Sequence, residues 1–112
     1  MKFRNTKGLE IDGHLEIKAV DIQDEFEGQI EQWQEILIHG DPKGLKSLAA
    51  QLIYLAELEQ EKVDDKYLPI GAREHITLRP KFELSISSFQ TIIGRLDSKG
   101  EKKFYKSYMP KN

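Results

Sequence analysis

Apolar and polar residues alternate at the start of the chain. Leu9, Ile11, Gly13, Leu15, Ile17 and Ala19 are separated by Glu10, Asp12, His14, Glu16 and Lys18. A period of two is that of a strand with one buried and one wet face. Asp12-Gly13 has the composition of a two-residue hairpin turn, but a hairpin there would pair Ile11 with His14 and Leu9 with Glu16, mixing the faces. One continuous strand over 9–19 keeps every apolar residue on one side.

Residues 20–33 carry two patterns. Ile22, Phe26, Ile30 and Trp33 recur at helical spacing, whereas Phe26, Gly28 and Ile30 alternate with acids and Gln29. We read strand from Gln29, because "QEILIHG" continues it with β character. Ile36 and Ile38 flank Leu37, so both faces of that strand carry apolar groups. The segment 41–60 predicts a helix. Asp41 suits the N-cap and Pro42 the first helical position, where its missing N–H costs nothing. Leu45, Leu48, Ala49, Leu52, Ile53 and Ala56 then form one apolar stripe.

A polar loop punctuated by Pro69 and Gly71 leads to three short alternating runs. "HITLR" sets Ile76 and Leu78 against His75, Thr77 and Arg79; "FELSI" sets Phe82, Leu84 and Ile86 against Glu83 and Ser85; "TIIGRL" follows Ser87-Ser88. Asp97-Ser98-Lys99-Gly100 predicts a β-turn, and "KKFYKSY" is a candidate last strand paired back on it. The order β-β-α-β-β-β predicts an α+β fold: a single mainly antiparallel sheet with one amphipathic helix on one face. The other face would be wet, with His14, Glu16, Lys18, Thr77 and Arg79. We expect residues 1–112 to form a single domain and 109–112 to fray.

Composition narrows the chemistry. Apolar residues make up 38% of the chain, too many for a disordered segment. There is no cysteine, which removes disulfides, thiolate metal sites and thiol nucleophiles. The first residues lack the apolar core of a signal peptide, and we expect a soluble, cytoplasmic protein with no membrane partner. The net charge of −2 gives no bulk attraction to nucleic acid. Its distribution is polar: between Ala19 and Pro42 there is no Lys or Arg, but Asp21, Asp24, Glu25, Glu27, Glu31, Glu35 and Asp41 all occur. Lysines collect at the other end, at Lys99, Lys102, Lys103, Lys106 and Lys111. Such segregation steers charged partners, or simply solvates the surface.

No constellation assembles a reaction. His14, His39 and His75 have no metal-ligand spacing, and Glu74 and His75, adjacent on a strand, point to opposite faces. The serines lack a nucleophile elbow or an oxyanion hole. "GDPKG" opens a helix but lacks the ending of a phosphate loop. We therefore expect no catalysis, no cofactor and no metal. Two other readings stay open: a small metal-dependent or His-based hydrolase using His75, and a nucleic-acid-binding module using the Lys-rich, aromatic C-terminal segment. For that segment, an edge strand guarded by lysines is the simpler account. Trp33, the sole tryptophan, lies among Glu31, Gln32, Gln34 and Glu35; it suits an interface anchor or a cap on the sheet edge.

"EILIHGDPKGLKSLAAQL", "REHITLRP", "ELSISS" and "TIIGRLD", in that order, resemble the immunity protein thirty-two family of bacterial polymorphic toxin systems, over roughly residues 35–97. The resemblance implies a non-enzymatic protein that binds and neutralises a cognate toxin. An acidic surface suits a basic toxin such as a nuclease. Glu27, Glu31, Trp33 and Glu35 are the first candidates for partner binding, followed by Asp64, Asp65, His75 and Arg79. An exposed sheet edge also offers a route to a homodimer.

Overall fold

The computed structural model describes residues 10–111. The fold is α+β, as the patterns predict, but its strands form two separate two-stranded antiparallel sheets. Strands β1 (Leu15–Phe26) and β2 (Gln29–Gly40) form a long hairpin. Helix α1 (Pro42–Glu57) follows directly, then two 3₁₀ turns, then β3 (His75–Leu78) and β4 (Thr91–Gly94).

The hairpin turns at Glu27-Gly28, where φ is +52° and +80°. Left-handed backbone at both central residues makes the twist of the turn match that of the strands, and glycine accepts it without strain. The register pairs Ile17 with Ile38, Ala19 with Ile36, Ile22 with Trp33 and Asp24 with Glu31. Side-chain amides reinforce it across the strands, Gln32 to Gln23 at 3.0 Å and Gln34 to Asp21 at 3.1 Å. The ambiguous stretch 20–33 is thus strand, turn and strand. The expected strand over 9–19 begins instead at Leu15, with Leu9 outside the described residues. The chain bends at Gly13 (φ +77°), where a Cβ would lie 2.5 Å from Asp41 Oδ1 and 2.8 Å from Gly44 N. Only glycine fits where the chain crosses the start of the helix.

Helix α1 starts as its sequence predicts. Asp41 is the N-cap, and its Oδ1 accepts from Gly44 N at 2.7 Å. Its buried face, however, is Gly44, Leu48, Gln51 and Leu55. The expected stripe is rotated toward solvent, leaving Leu45, Leu52 and Ile53 about half exposed. The reason is the close approach at Gly44, where a Cβ would lie 2.0 Å from the His14 carbonyl oxygen. The backbone contact, rather than the bulkiest side chains, sets the rotation of the helix. At the far end Arg95 donates to the carbonyls of Leu55 and Leu58, at 3.0 and 2.8 Å, and satisfies acceptors that the helix terminus leaves open.

The core joins both sheets through the helix: Leu15 and Ile17 from β1, Leu48 and Leu55 from α1, Ile76 and Leu78 from β3, and Leu84. The single sheet fails to form because residues 80–90 run irregularly between β1 and β3. "FELSI" is not a strand. Pro80 has no N–H to give, Lys81 sits at φ +73°, and Arg79 O takes the N–H of Leu84. Only Leu84 of that run is buried, with Phe82 and Ile86 exposed. Ser85 N and Phe89 N donate to the carbonyls of Leu15 and Ile17, and Ile17 N donates to Ser88 Oγ. The outer edge of β1 is thereby closed at its base, at Leu15 and Ile17. The tail is not a strand either. Arg73, buried, donates to the carbonyls of Gly71, Leu96 and Lys103 and lies 4.1 Å from the Tyr105 ring centre, so it draws residues 96–105 into a loop. In place of the four-residue turn expected at 97–100, a five-residue turn over 98–102 is closed by Lys102 N donating to Ser98 O.

Gly44→Ala should destabilise the protein, although alanine is the better helix former by about 1 kcal/mol, because its methyl meets the His14 backbone. Leu78 is fully buried, so Leu78→Ala should cost about 2–5 kcal/mol. Denaturant unfolding checks both.

Candidate functional site

The distal part of the hairpin projects from the core as an arm. Twelve residues per strand reach about 40 Å at about 3.3 Å per residue, and only the base of the hairpin meets the helix. The radius of gyration is 16.8 Å, against about 13 Å for a compact domain of this length. From Gln29 to Ile36 every β2 residue is exposed. A free two-stranded hairpin is marginal in water, yet this one exposes Phe26, Ile30, Trp33 and Ile36.

Alternation sorts the arm into two faces. Residues opposite one another in the register share a face, so one face carries Val20, Ile22, Asp24 and Phe26 with Glu31, Trp33 and Glu35. Trp33 is 40% exposed and packs opposite Ile22; its indole N–H donates to Glu35 Oε2 at 3.0 Å. Glu27 lies at the tip. The structure therefore gathers Glu27, Glu31, Trp33 and Glu35 on one arm, with an aromatic ring held among carboxylates. The other face carries Asp21, Gln23, Glu25, Ile30, Gln32 and Gln34 distally and Ala19, Ile36 and Ile38 toward the core.

The remaining candidates are elsewhere and engaged within the chain. Asp64 caps a 3₁₀ turn by accepting from Lys66 N at 3.0 Å, and Asp65 pairs with Lys99 at 2.8 Å. His75 Nδ1 lies 2.9 Å from the Arg73 carbonyl and Nε2 lies 3.2 Å from the Tyr105 hydroxyl. A carbonyl can only accept, so Nδ1 carries a proton toward Arg73, while the Tyr105 hydroxyl can either donate to Nε2 or accept from it. The ring also fills the space beside Gly94. Arg79 donates to Glu83 at 3.1 Å and lies 4.4 Å from the Phe82 ring centre. As read from the sequence, Ile76 and Leu78 are buried and His75 and Thr77 are turned to the opposite side.

One polar cluster escaped the sequence reading. Ser87 donates to Glu16, which also pairs with Lys18 at 3.3 Å and with His39 at 3.5 Å, while Ser85 bonds Ser87 and Ser88. Here the carboxylate stands between serine and histidine. The Ser87 bond, with help from Lys18 and His39, lowers the Glu16 pKa below its ordinary value, outweighing burial. A weakened base that faces the hydroxyl directly does not activate it as an imidazole would. The cluster instead fastens residues 85–88 to β1. Among the described residues no group of three or more acidic or histidine side chains could hold a metal ion, and no helix is long and apolar enough to cross a membrane.

The site is thus a small α+β scaffold with a hairpin, rich in acids and carrying the sole tryptophan, that extends away from its core. The chain belongs to the Immunity protein 32 family, whose model matches residues 35–96. The match spans the end of β2, α1, β3 and β4, so the family's shared part is the base, and most of the arm lies outside it. No curated protein and no solved structure matches the chain.

The backbone N–H groups of His14 and Gly44, on Asp41, hold its carboxyl below the ordinary 3.8, and the Arg95 guanidinium does the same for Asp97. Each depressed carboxylate stabilises the fold fully above its ordinary pKa, and that contribution is lost as pH falls through the folded value. The thermal midpoint should therefore hold steady from neutral pH down to about pH 5 and fall below about pH 4. Asp41→Asn should flatten part of that fall, and Asp41→Ala should lower the midpoint by several degrees at pH 7. Melting curves across pH check the sign.

Proposed function

We infer that the protein is a non-enzymatic immunity protein that binds a cognate toxin domain and blocks it. The observation that carries this reading is the arm: Glu27, Glu31, Trp33 and Glu35 together on a projecting hairpin of a chain from an immunity-protein family. Carboxylates unopposed by Lys or Arg from Ala19 to Pro42 attract a basic surface and exclude acidic ones. A nuclease, whose cleft draws in phosphate, is the toxin class that fits best. Trp33 supplies a rigid apolar anchor at the centre of the charge.

The purified protein should form a stable complex with the toxin domain encoded beside it; no association at micromolar concentration defeats the reading. Trp33→Ala should weaken that complex by about 2 kcal/mol or more. The Glu31→Lys/Glu35→Lys double variant should slow association at least about tenfold at low salt and converge on the parent as salt rises. Stopped-flow association measured across salt concentrations checks the second effect.

A further inference from the structure

The outer edge of β2 is a row of backbone groups with nothing against it among the described residues. Its outward-facing positions follow from β1. Ile17 donates its N–H to Ser88 Oγ, and its C=O accepts from Phe89 N, so both groups point away from β2. In an antiparallel ladder Ile17 and Ile38 are therefore a non-hydrogen-bonded pair. By alternation the same holds for Ala19 with Ile36, Asp21 with Gln34, Gln23 with Gln32 and Glu25 with Ile30. The β2 members of these pairs, Ile30, Gln32, Gln34, Ile36 and Ile38, aim their N–H and C=O groups outward.

Such edges usually carry protection: lysine, proline, a bulge or a short length. Strand β2 is 12 residues long and fully paired in register with β1, and it contains no Lys, Arg or Pro. Ile30 is 63%, Ile36 65% and Ile38 51% exposed beside that edge. Leu45 extends this apolar strip onto the helix, since it lies over Gly40 on the same face. A strand laid here would gain backbone bonds from the edge and apolar contacts along one face.

We propose that β2 is the docking edge for the toxin: an edge strand of the toxin domain, flanked by Lys or Arg, adds to β2 and extends the hairpin to three strands. This rests on the immunity reading and specifies how the partner is held. Charge selects the occupant. A second copy paired through β2 would set Glu31 and Glu35 beside a strand carrying the same two acids, with Asp21, Asp24 and Glu25 on β1 and Glu27 in the turn adding further negative charge, and like charges on neighbouring strands repel. A basic strand turns that repulsion into attraction. Because the family match begins at Glu35, the distal edge is also where this chain would distinguish its own toxin from those of its relatives.

The test is amide hydrogen exchange, read residue by residue, on the free full-length protein and on its complex with the toxin domain encoded beside it. In the free protein the Glu31, Trp33 and Glu35 amides should be protected and those of Gln32, Gln34 and Ile36 should exchange freely. In the complex the latter three should slow at least tenfold. Gln34→Pro removes one outward N–H without touching the ladder to β1, and should raise the Kd at least tenfold. Gln34→Thr, which loses the same side chain but keeps the N–H, should bind within about threefold of the parent. If the parent binds and its outward amides do not slow, the edge is not the docking site although the immunity reading stands. If the parent does not bind, the immunity reading falls and this inference with it. Outward amides already protected in the free protein overturn the proposal too, with a dimeric mass naming a second copy and a monomeric mass naming the chain itself as the occupant. Should Gln34→Pro fail to fold, the exchange data on the parent decide.

Discussion

One carboxylate ties the two halves of the fold together. Asp41 Oδ1 accepts from His14 N, just before β1, and from Gly44 N in the first turn of α1, while Asp41 N donates back to His14 O. The start of β1, the end of β2 and the start of α1 therefore meet at one point. They can do so only because Gly13 and Gly44 lack side chains there. The rest follows geometrically. The approach at Gly44 sets which face of the helix is buried, the helix carries Leu48 and Leu55 into the core, and the hairpin leaves the core in a fixed direction.

The two sheets divide the labour. Strands β3 and β4 belong to the base, where Arg73, Gln60 and Arg95 bind backbone carbonyls and amides of the surrounding loops. Gln60 alone accepts from Glu74 N and donates to Asp97 O. Side chains of this kind replace the backbone ladder that a larger sheet would have supplied, and they satisfy buried polar groups in loops with no strand beside them. The hairpin is different. Its base is packed and its outer half is held by its own register and turn, with apolar residues in water. That is a poor arrangement for stability and a good one for recognition, because the surface is already ordered before a partner arrives.

The sequence patterns made several elements readable. Asp41-Pro42 marked the helix start because capping is local chemistry that depends on a few adjacent residues. Ile76 and Leu78 marked the buried face of β3 because alternation transmits burial directly. The order of motifs from Glu35 onward pointed to the family, and the run of acids without a base marked a charged stretch, though not that it would stand out as an arm. The Glu27-Gly28 turn was legible in principle, since a glycine at the second central position between two alternating runs is a hairpin signal. It was obscured by the coincidental helical spacing of Ile22, Phe26, Ile30 and Trp33.

What the sequence determined by itself was thus local: strand alternation, the helix cap, the charge segregation and the kinship of the segment 35–96. Tertiary structure decided what depends on long-range contact. It split the expected sheet in two, because Pro80, Lys81 and the serines gave residues 80–90 other partners for their backbone groups. It folded the tail over Arg73 instead of onto β4. It turned Leu45, Leu52 and Ile53 outward, because a glycine contact rather than the apolar moment oriented the helix. It also drew Glu27, Glu31, Trp33 and Glu35 onto one arm while binding Asp64, Asp65, His75 and Arg79 into the base. Periodicity reports which side of an element is apolar; only packing determines which side meets another element.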